Sequence, residues 1–446
     1  MNNHAISRIM AGLAMALFIS CAESDRKEED RVSSLLQQTT IPVTSLDTTF
    51  SAEFKDQLKE ELKDVRVLAL GEATHEDGTT LHYKTELVKF LHEEMDFDVL
   101  AFEFGFYGNW NTSEKLKRRE NLYEAIKYSG WARSKFALPV YEYMSRSYDM
   151  DEPLMYAGFD SEKVPDGIPN IRDFLVESRK LTGIDLVERD SLVMDSLVVA
   201  VYDRLGSPMK KMISYGARSR ALALIDSIAT RISNDRETLE TALDPHTIAM
   251  YQLTLRSIVM DEKSAFAGAY WNIVRDKHMA DRVVWLTDSL YRGKKIILWG
   301  ASAHFARNMV QIDRTLGPDD YGFYPYYQMG DWLREYYKDA YYAMAFVSAS
   351  GSIGTVYPED HSFKPYEQII PIDTPVPGSF EEVAFTTGEH TLFCNLRTLP
   401  EDSWLRQDFT AFPFGYQRDS TSWSNVIDGI FYIREMEPDE YMRLPR

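Results

Sequence analysis

The chain has 446 residues, 44% of them hydrophobic and 13% aromatic, and a formal net charge of -20 at pH 7. So much apolar material supports a large buried core and excludes a disordered chain. So acidic a surface repels nucleic-acid phosphates and anionic lipid, which removes nucleic acid from the expected partners, and it also keeps a protein soluble.

In chain order, Arg8 and the short apolar run at residues 9–19, closed by Ser20-Cys21, read as targeting sequence. The run is too short to span a bilayer permanently. The expectation is a lipoprotein signal at residues 1–20, removed to leave Cys21 lipidated. The membrane would then be touched only through that anchor, at the periplasmic face or the surface of a bacterial envelope. An ordinary secretory signal with a chance cysteine is the alternative. Residues 21–45 open on a charged stretch without apolar period and are expected to be a flexible tether. Cys394 is the only other cysteine. With Cys21 lipidated it has no disulfide partner, and a buried thiol is expected rather than a nucleophile.

From residue 46 onward the pattern is that of an α/β domain. Residues 65–70 form a strand-like apolar run, followed by Gly71-Glu72-Ala73-Thr74-His75 and then by helical spacing over 79–94 (Leu81, Leu87, Val88, Leu91). Residues 98–104 and 154–159 are again strand-like. From about 185 to 292 the pattern is helical, with apolar residues three and four apart at 217–233 and 248–260, and reads as a large helical insertion. Residues 294–299 return to strand character and break at Gly300-Ala301-Ser302-Ala303-His304. Further strands are expected at 341–348, 391–396 and 427–434, and prolines between 358 and 377 mark a loop. Strands alternating with longer helical stretches predict a mainly parallel sheet flanked by helices.

Ionisable residues fall where the strands end. Glu72 and His75 follow the first, Glu103 ends the second, Asp160 follows the third and His304 the fourth. Ligands of open α/β sheets bind outside the carboxyl ends of the strands, so parallel strands would deliver all five to one edge. A carboxylate ending an apolar central strand is costly unless paired. Histidine is the natural base near neutral pH, and a paired carboxylate fixes its tautomer. General-base catalysis also needs donors for the developing oxyanion, and Lys84 and Arg275 are candidates. Each residue also has a plainer reading: a loop histidine, a helix-capping Asp160, a solvated Lys84, or an Arg275-Asp276 pair on a helix surface.

The run Val67-Leu68-Ala69-Leu70 into Gly71-Glu72-Ala73-Thr74-His75 resembles the erythromycin esterase family. So do Ala101-Phe102-Glu103-Phe104-Gly105-Phe106, Gly158-Phe159-Asp160, Arg275-Asp276 with Met279-Ala280, Trp299 with His304, and Ile427-Asp428-Gly429-Ile430. The resemblance implies metal-independent hydrolysis of a carboxylic ester or lactone, without cofactor. His75 would activate water, Glu72 and Glu103 would orient it, Lys84 would stand where the family has a basic residue, and His304 would sit opposite. Two departures bear on macrolide recognition. Ala301 and Ser302 stand where a histidine and an asparagine are expected, and Glu76 replaces a glycine.

Other chemistries lack their motifs. Ser302 is not framed as Gly-x-Ser-x-Gly, no glycine-rich phosphate loop occurs, and His92-Glu93-Glu94 lacks the second histidine of a zinc helix. Two alternatives stay open at this stage: a divalent metal held by the same His/Glu set, and a surface lipoprotein that binds a small molecule without turning it over. No protein partner is indicated.

Overall fold

The computed structural model describes residues 36–37, 39–43, 50–161, 174, 177, 215–265, 271–314, 327–358 and 369–445. The expected signal peptide, Cys21, most of the tether, residues 185–214 of the insertion and 359–368 of the proline-rich loop lie outside them.

An eight-stranded sheet organises the described residues. In chain order its strands are β1 (Thr40–Pro42), β2 (Val67–Glu72), β3 (Phe97–Gly105), β4 (Met155–Asp160), β5 (Lys295–Ala301), β6 (Tyr341–Ser348), β7 (Thr391–Asn395) and β8 (Gly429–Ile433). They lie in the order β1-β7-β8-β6-β2-β5-β3-β4. From β8 through β4 every pairing is parallel, and β7 alone runs against the rest. This is the mainly parallel α/β sheet that the sequence predicts.

Burial on both faces explains why β2, β3 and β5 read as continuous apolar runs. Leu68, Leu70, Leu100, Phe102, Ile297 and Trp299 point into one core with helices α1 (Ala52–Leu62), α2 (Gly78–Met95) and α4 (Leu138–Ser147). Their neighbours Val67, Ala69, Val99, Ala101, Ile296 and Leu298 point into the other. Helices α5 (Tyr215–Asn234), α6 (Pro245–Ala265) and α7 (Trp271–Trp285), which lie between β4 and β5, pack there. Helix α3 (Phe106–Lys117) follows β3 directly.

The expected tether is corrected at its end. Thr40–Pro42 extends the sheet against Leu392–Cys394 and covers an edge that would otherwise expose unpaired backbone groups. Three residues are too few for a periodic signal. In the proline-rich loop, Ile370–Pro371 pairs with Ser352–Ile353.

Away from the acid-bearing edge, Asp428 explains the Ile427-Asp428-Gly429-Ile430 motif. Its buried carboxylate accepts from both terminal nitrogens of Arg307 at 3.0 Å, from Arg397 Nε at 2.8 Å and from the Ala343 N–H at 2.9 Å. Removing one side of such a buried pair leaves uncompensated cations. Asp428→Ala is therefore expected to lower the unfolding free energy by about 3–5 kcal/mol, read from urea denaturation at constant pH.

Candidate active site

The acid-bearing edge is built by β2, β3, β4 and β5. Glu72 is the last residue of β2 and Asp160 the last of β4. Glu103 stands inside β3, within the register shift against β4 that falls between Phe102 and Gly105. After β5 the chain turns at once into the short helix α8 (Ser302–Phe305), which carries His304.

His75 lies in the turn between β2 and α2. Thr74 donates its N–H (3.0 Å) and hydroxyl (2.6 Å) to Asp77, the residue preceding α2. That turn brings His75 Nδ1 to 2.9 Å from Glu72 Oε1. The imidazole is half exposed while Glu72 is fully buried. Crowding by the surrounding protein disfavours the charged ring. The hydrogen bond to Glu72 and the charges of Glu103, Glu72 and Glu76 outweigh this and lift the pKa to about 9. Trp131 backs the same residue. Its indole N–H donates to the His75 carbonyl at 3.1 Å and its ring meets the imidazole edge-on. Trp131 sits at φ +54, a costly conformation for so bulky a residue. Nothing in the sequence marked it.

Lys84 corrects an expectation. It neither faces solvent nor lines the mouth; it is fully buried behind Glu72, whose Oε2 it holds, with its ammonium 4.4 Å from the Trp299 ring. Burial lowers its pKa against the pull of Glu72. The pair leaves Glu72 Oε1 for His75.

The second half of the site centres on Glu103. Its Oε2 accepts from the Ala301 N–H at 2.8 Å. Its Oε1 lies 2.8 Å from an Arg275 terminal nitrogen and 3.2 Å from His304 Nε2. Burial opposes ionisation, but His304, His75 and Arg275 hold the carboxyl well below its usual range. Arg275 also grips Asp160 through Nε at 2.9 Å and Nη2 at 2.5 Å, and places Nη1 3.0 Å from His304 Nε2. It is thus a clamp on two carboxylates and a histidine. Asp276 entered the sequence reading as part of the Arg275-Asp276 resemblance and as half of a surface pair, without a role of its own. It is fully buried, with Oδ1 2.8 Å from His304 Nδ1 in an ion pair that lacks straight hydrogen-bond geometry. Burial disfavours a charged His304, yet Asp276 and Glu103 outweigh both burial and Arg275 and raise its pKa to about 10.

Other candidates are structural. Ser302 Oγ donates to the Gly71 carbonyl at 2.6 Å, so it is no nucleophile. Burial lifts the Cys394 thiol to about 12. His92 is occupied by the Tyr143 hydroxyl and the Glu152 carbonyl.

The family model for erythromycin esterase matches residues 92–436. The chain belongs to the erythromycin esterase family. As a member it is a hydrolase of ester bonds acting on a small molecule. The matched stretch contains Glu103, Asp160, Arg275 and His304; Glu72, His75 and Lys84 precede it. Among relatives, the chain is 25% identical over 406 residues to a Bacillus subtilis protein named "Putative hydrolase YbfO", covering 85% of this chain and 86% of that one. It is 23% identical over 421 residues to erythromycin esterase type II of Escherichia coli, covering 86% and 92%. The crystal structure of a succinoglycan biosynthesis protein superposes with a TM-score of 0.71 at 17% identity, over 93% of this chain and 99% of that one. An erythromycin esterase mutant in its open conformation gives 0.66 at 15%, over 91% and 100%. At such identities these two likenesses speak for the fold alone.

Two predictions follow from this packing. A Cβ at Gly300 would lie 2.6 Å from Glu103 Oε2 and 2.8 Å from Glu103 Cβ. Gly300→Ala is therefore expected to displace Glu103, costing about 1–3 kcal/mol of stability and up to about a hundredfold in turnover; unchanged values of both would refute the contact. The native state also holds the His304 proton more tightly than the unfolded chain, where the pKa is about 6.5. This contribution is full below that pH and is lost as pH rises through about 10. The stability gap between wild type and His304→Gln should narrow across that window in denaturation at stepped pH, and a constant gap would sink the assignment.

Proposed function

We propose that this chain is an exported, lipid-anchored enzyme that hydrolyses a carboxylic ester or lactone with water activated by the Glu72–His75 pair. The reading is carried by one observation: a half-exposed imidazole held at 2.9 Å by a fully buried carboxylate whose other oxygen is taken by Lys84. Glu72 accepts from Nδ1–H and so leaves Nε2 as the basic nitrogen turned to water. The water oxygen bonds to the acyl carbon as its proton passes to Nε2. The carbonyl electrons collect on oxygen, and the cationic side of the site, His304 beside Arg275, is the source of stabilisation for that charge. The carbon–oxygen bond then breaks, and the leaving alkoxide takes up a proton.

Both catalytic carboxylates already carry protein cations: Lys84 on Glu72, Arg275 and His304 on Glu103. A divalent ion would have to displace them, which favours direct water activation over a metal. The relative named erythromycin esterase makes a macrolide lactone one substrate to try. Against it, the turn after β5 offers no recognition side chain: Ser302 is bound to Gly71, and Ala301 contributes only its N–H to Glu103. The substrate proposed is thus a small ester or lactone not restricted to macrolides. Anchoring through Cys21 is supported by the N-terminal sequence.

The test is hydrolysis of aryl esters, lactones and macrolides by the form starting after Cys21. Because His75 must be neutral to act as base, kcat/KM should rise with pH along a limb displaced from 6.5 toward about 9. Glu72→Gln should move that limb back toward about 6.5, and His75→Ala should lose roughly a hundred- to ten-thousand-fold. Activity should survive chelation. Turnover untouched in His75→Ala, or lost on chelation and restored by a divalent ion, would overturn the mechanism.

A further inference from the structure

His75 acts from a turn, and a turn holds a side chain only as firmly as its backbone is tied. Among the described residues, three donors distant in sequence tie this one. The Ala73 carbonyl accepts from the Gly415 N–H at 3.0 Å, the His75 carbonyl from Trp131 Nε1 at 3.1 Å and the Glu76 carbonyl from the Asp439 N–H at 3.1 Å. Asp439 differs from the other two because its side chain also reaches the loop that carries Trp131. Its buried Oδ1 accepts from Ser134 Oγ at 2.6 Å, and the Ser134 N–H donates to the Trp131 carbonyl at 2.9 Å. We propose that Asp439 is a positioning residue of His75: its N–H fixes the turn, its carboxylate fixes the Trp131 loop, and together they keep the imidazole on Glu72. This rests on reading His75 as the base of a hydrolase.

Asp439 belongs to a clasp, residues 437–442, laid along the turn. The Glu437 N–H donates to Thr79 Oγ1 at 2.8 Å, and Pro438 forms an antiparallel bridge with Asp77. A Cβ at Gly78 would lie 2.7 Å from the Pro438 oxygen, so the two backbones touch. The clasp is also anchored away from the turn. The Asp439 N–H is shared with the Gly354 carbonyl at 2.9 Å, and the Tyr441 N–H donates to the Val356 carbonyl at 2.8 Å. The Glu440 carbonyl accepts from the Lys135 N–H at 2.8 Å, and the Met442 N–H donates to the Arg133 carbonyl at 2.7 Å. The clasp thus joins 76–79, 131–135 and 354–356, and the first two bracket the imidazole. Trp131 keeps its strained φ of +54 only while such surroundings over-determine it. The family model stops at Met436, so these residues lie beyond the stretch it matches. The Asp439 carboxylate is used as an acceptor rather than as a charge: it has no cationic partner among the described residues, and burial lifts its pKa to about 6. The charged groups facing His75 are Glu72 from β2, Glu76 from the turn itself and Glu103 from β3. A loosened clasp leaves all three acids in the molecule and weakens the Nδ1–Glu72 bond that favours the imidazolium.

The test compares Asp439→Ala, which removes the acceptor, with Asp439→Asn, which removes the charge and keeps an oxygen for Ser134. The His75 ring nitrogens are followed by NMR in full-length protein labelled at histidine, with His75 assigned by its loss in His75→Ala. In folded Asp439→Ala the His75 titration should fall by about one pH unit or more, and the rising limb of kcat/KM should move down with it. On the plateau above that limb, kcat for p-nitrophenyl butyrate should drop about tenfold to a hundredfold, with KM within about twofold of wild type. Asp439→Asn should restore the titration and bring kcat to within about threefold. A role confined to stability would lower the urea midpoint and leave the titration of the folded protein unmoved. That result overturns the proposal, as does an Asn variant as impaired as Ala. If Asp439→Ala does not fold, Thr79→Val decides, because it frees the Glu437 N–H without touching the buried carboxylate. Its His75 titration should fall by about half a pH unit, and no movement overturns the proposal. No ester turnover by folded wild type counts against the hydrolase reading, and the titration then judges the clasp by itself.

Discussion

Burying carboxylates at the mouth of a parallel sheet requires cations, and the arrangement of those cations shapes the site. Glu72, Glu103, Asp160 and Asp276 are all buried where β2, β3, β4 and α7 converge. An isolated ionised carboxylate there would cost several kcal/mol. Lys84, Arg275 and His304 offset that cost, each from a different element. Removing any one would leave charge uncompensated. That is why α2 carries a lysine on its buried face and why α7 presents Arg275 and Asp276 to the sheet.

This pairing leaves the two histidines in different surroundings. Each sits on a carboxylate, and in each case burial opposes the proton while neighbouring acids favour it. They differ in access. Solvent reaches His75, so its proton can be exchanged at the point where a substrate would arrive. His304 is enclosed by Asp276, Glu103 and Arg275.

Close approach explains the departures after Trp299. Gly300 leaves room for Glu103, and a Cβ at Gly71 would lie 2.6 Å from the Ser302 backbone. Ser302 then closes the gap by donating to the Gly71 carbonyl. The Gly300-Ala301-Ser302 turn thus works mainly through its backbone and its lack of bulk.

The sequence alone placed seven of the eight strands of the sheet and missed only Thr40–Pro42. Residues 67–70, 99–102 and 296–299 are apolar on both faces, a pattern that a doubly covered parallel strand satisfies and that the alternation with helical stretches supports. It also located Glu72, His75, Glu103, Asp160 and His304, because strand ends are visible where apolar runs break. Lys84 was partly legible: it falls on the same helical face as Leu81, Leu87 and Val88, all buried. Tertiary structure alone decided the partners. Arg275 and Asp276 lie 115 residues or more after Asp160 in the chain, and nothing in a helical pattern says that one turn will face inward against a sheet edge. Trp131, the clamp on Asp160 and the carboxylate behind His304 arise from contacts between elements distant in sequence. Periodicity encodes which face of an element is buried; the identity of what it meets there is set only when the layers pack.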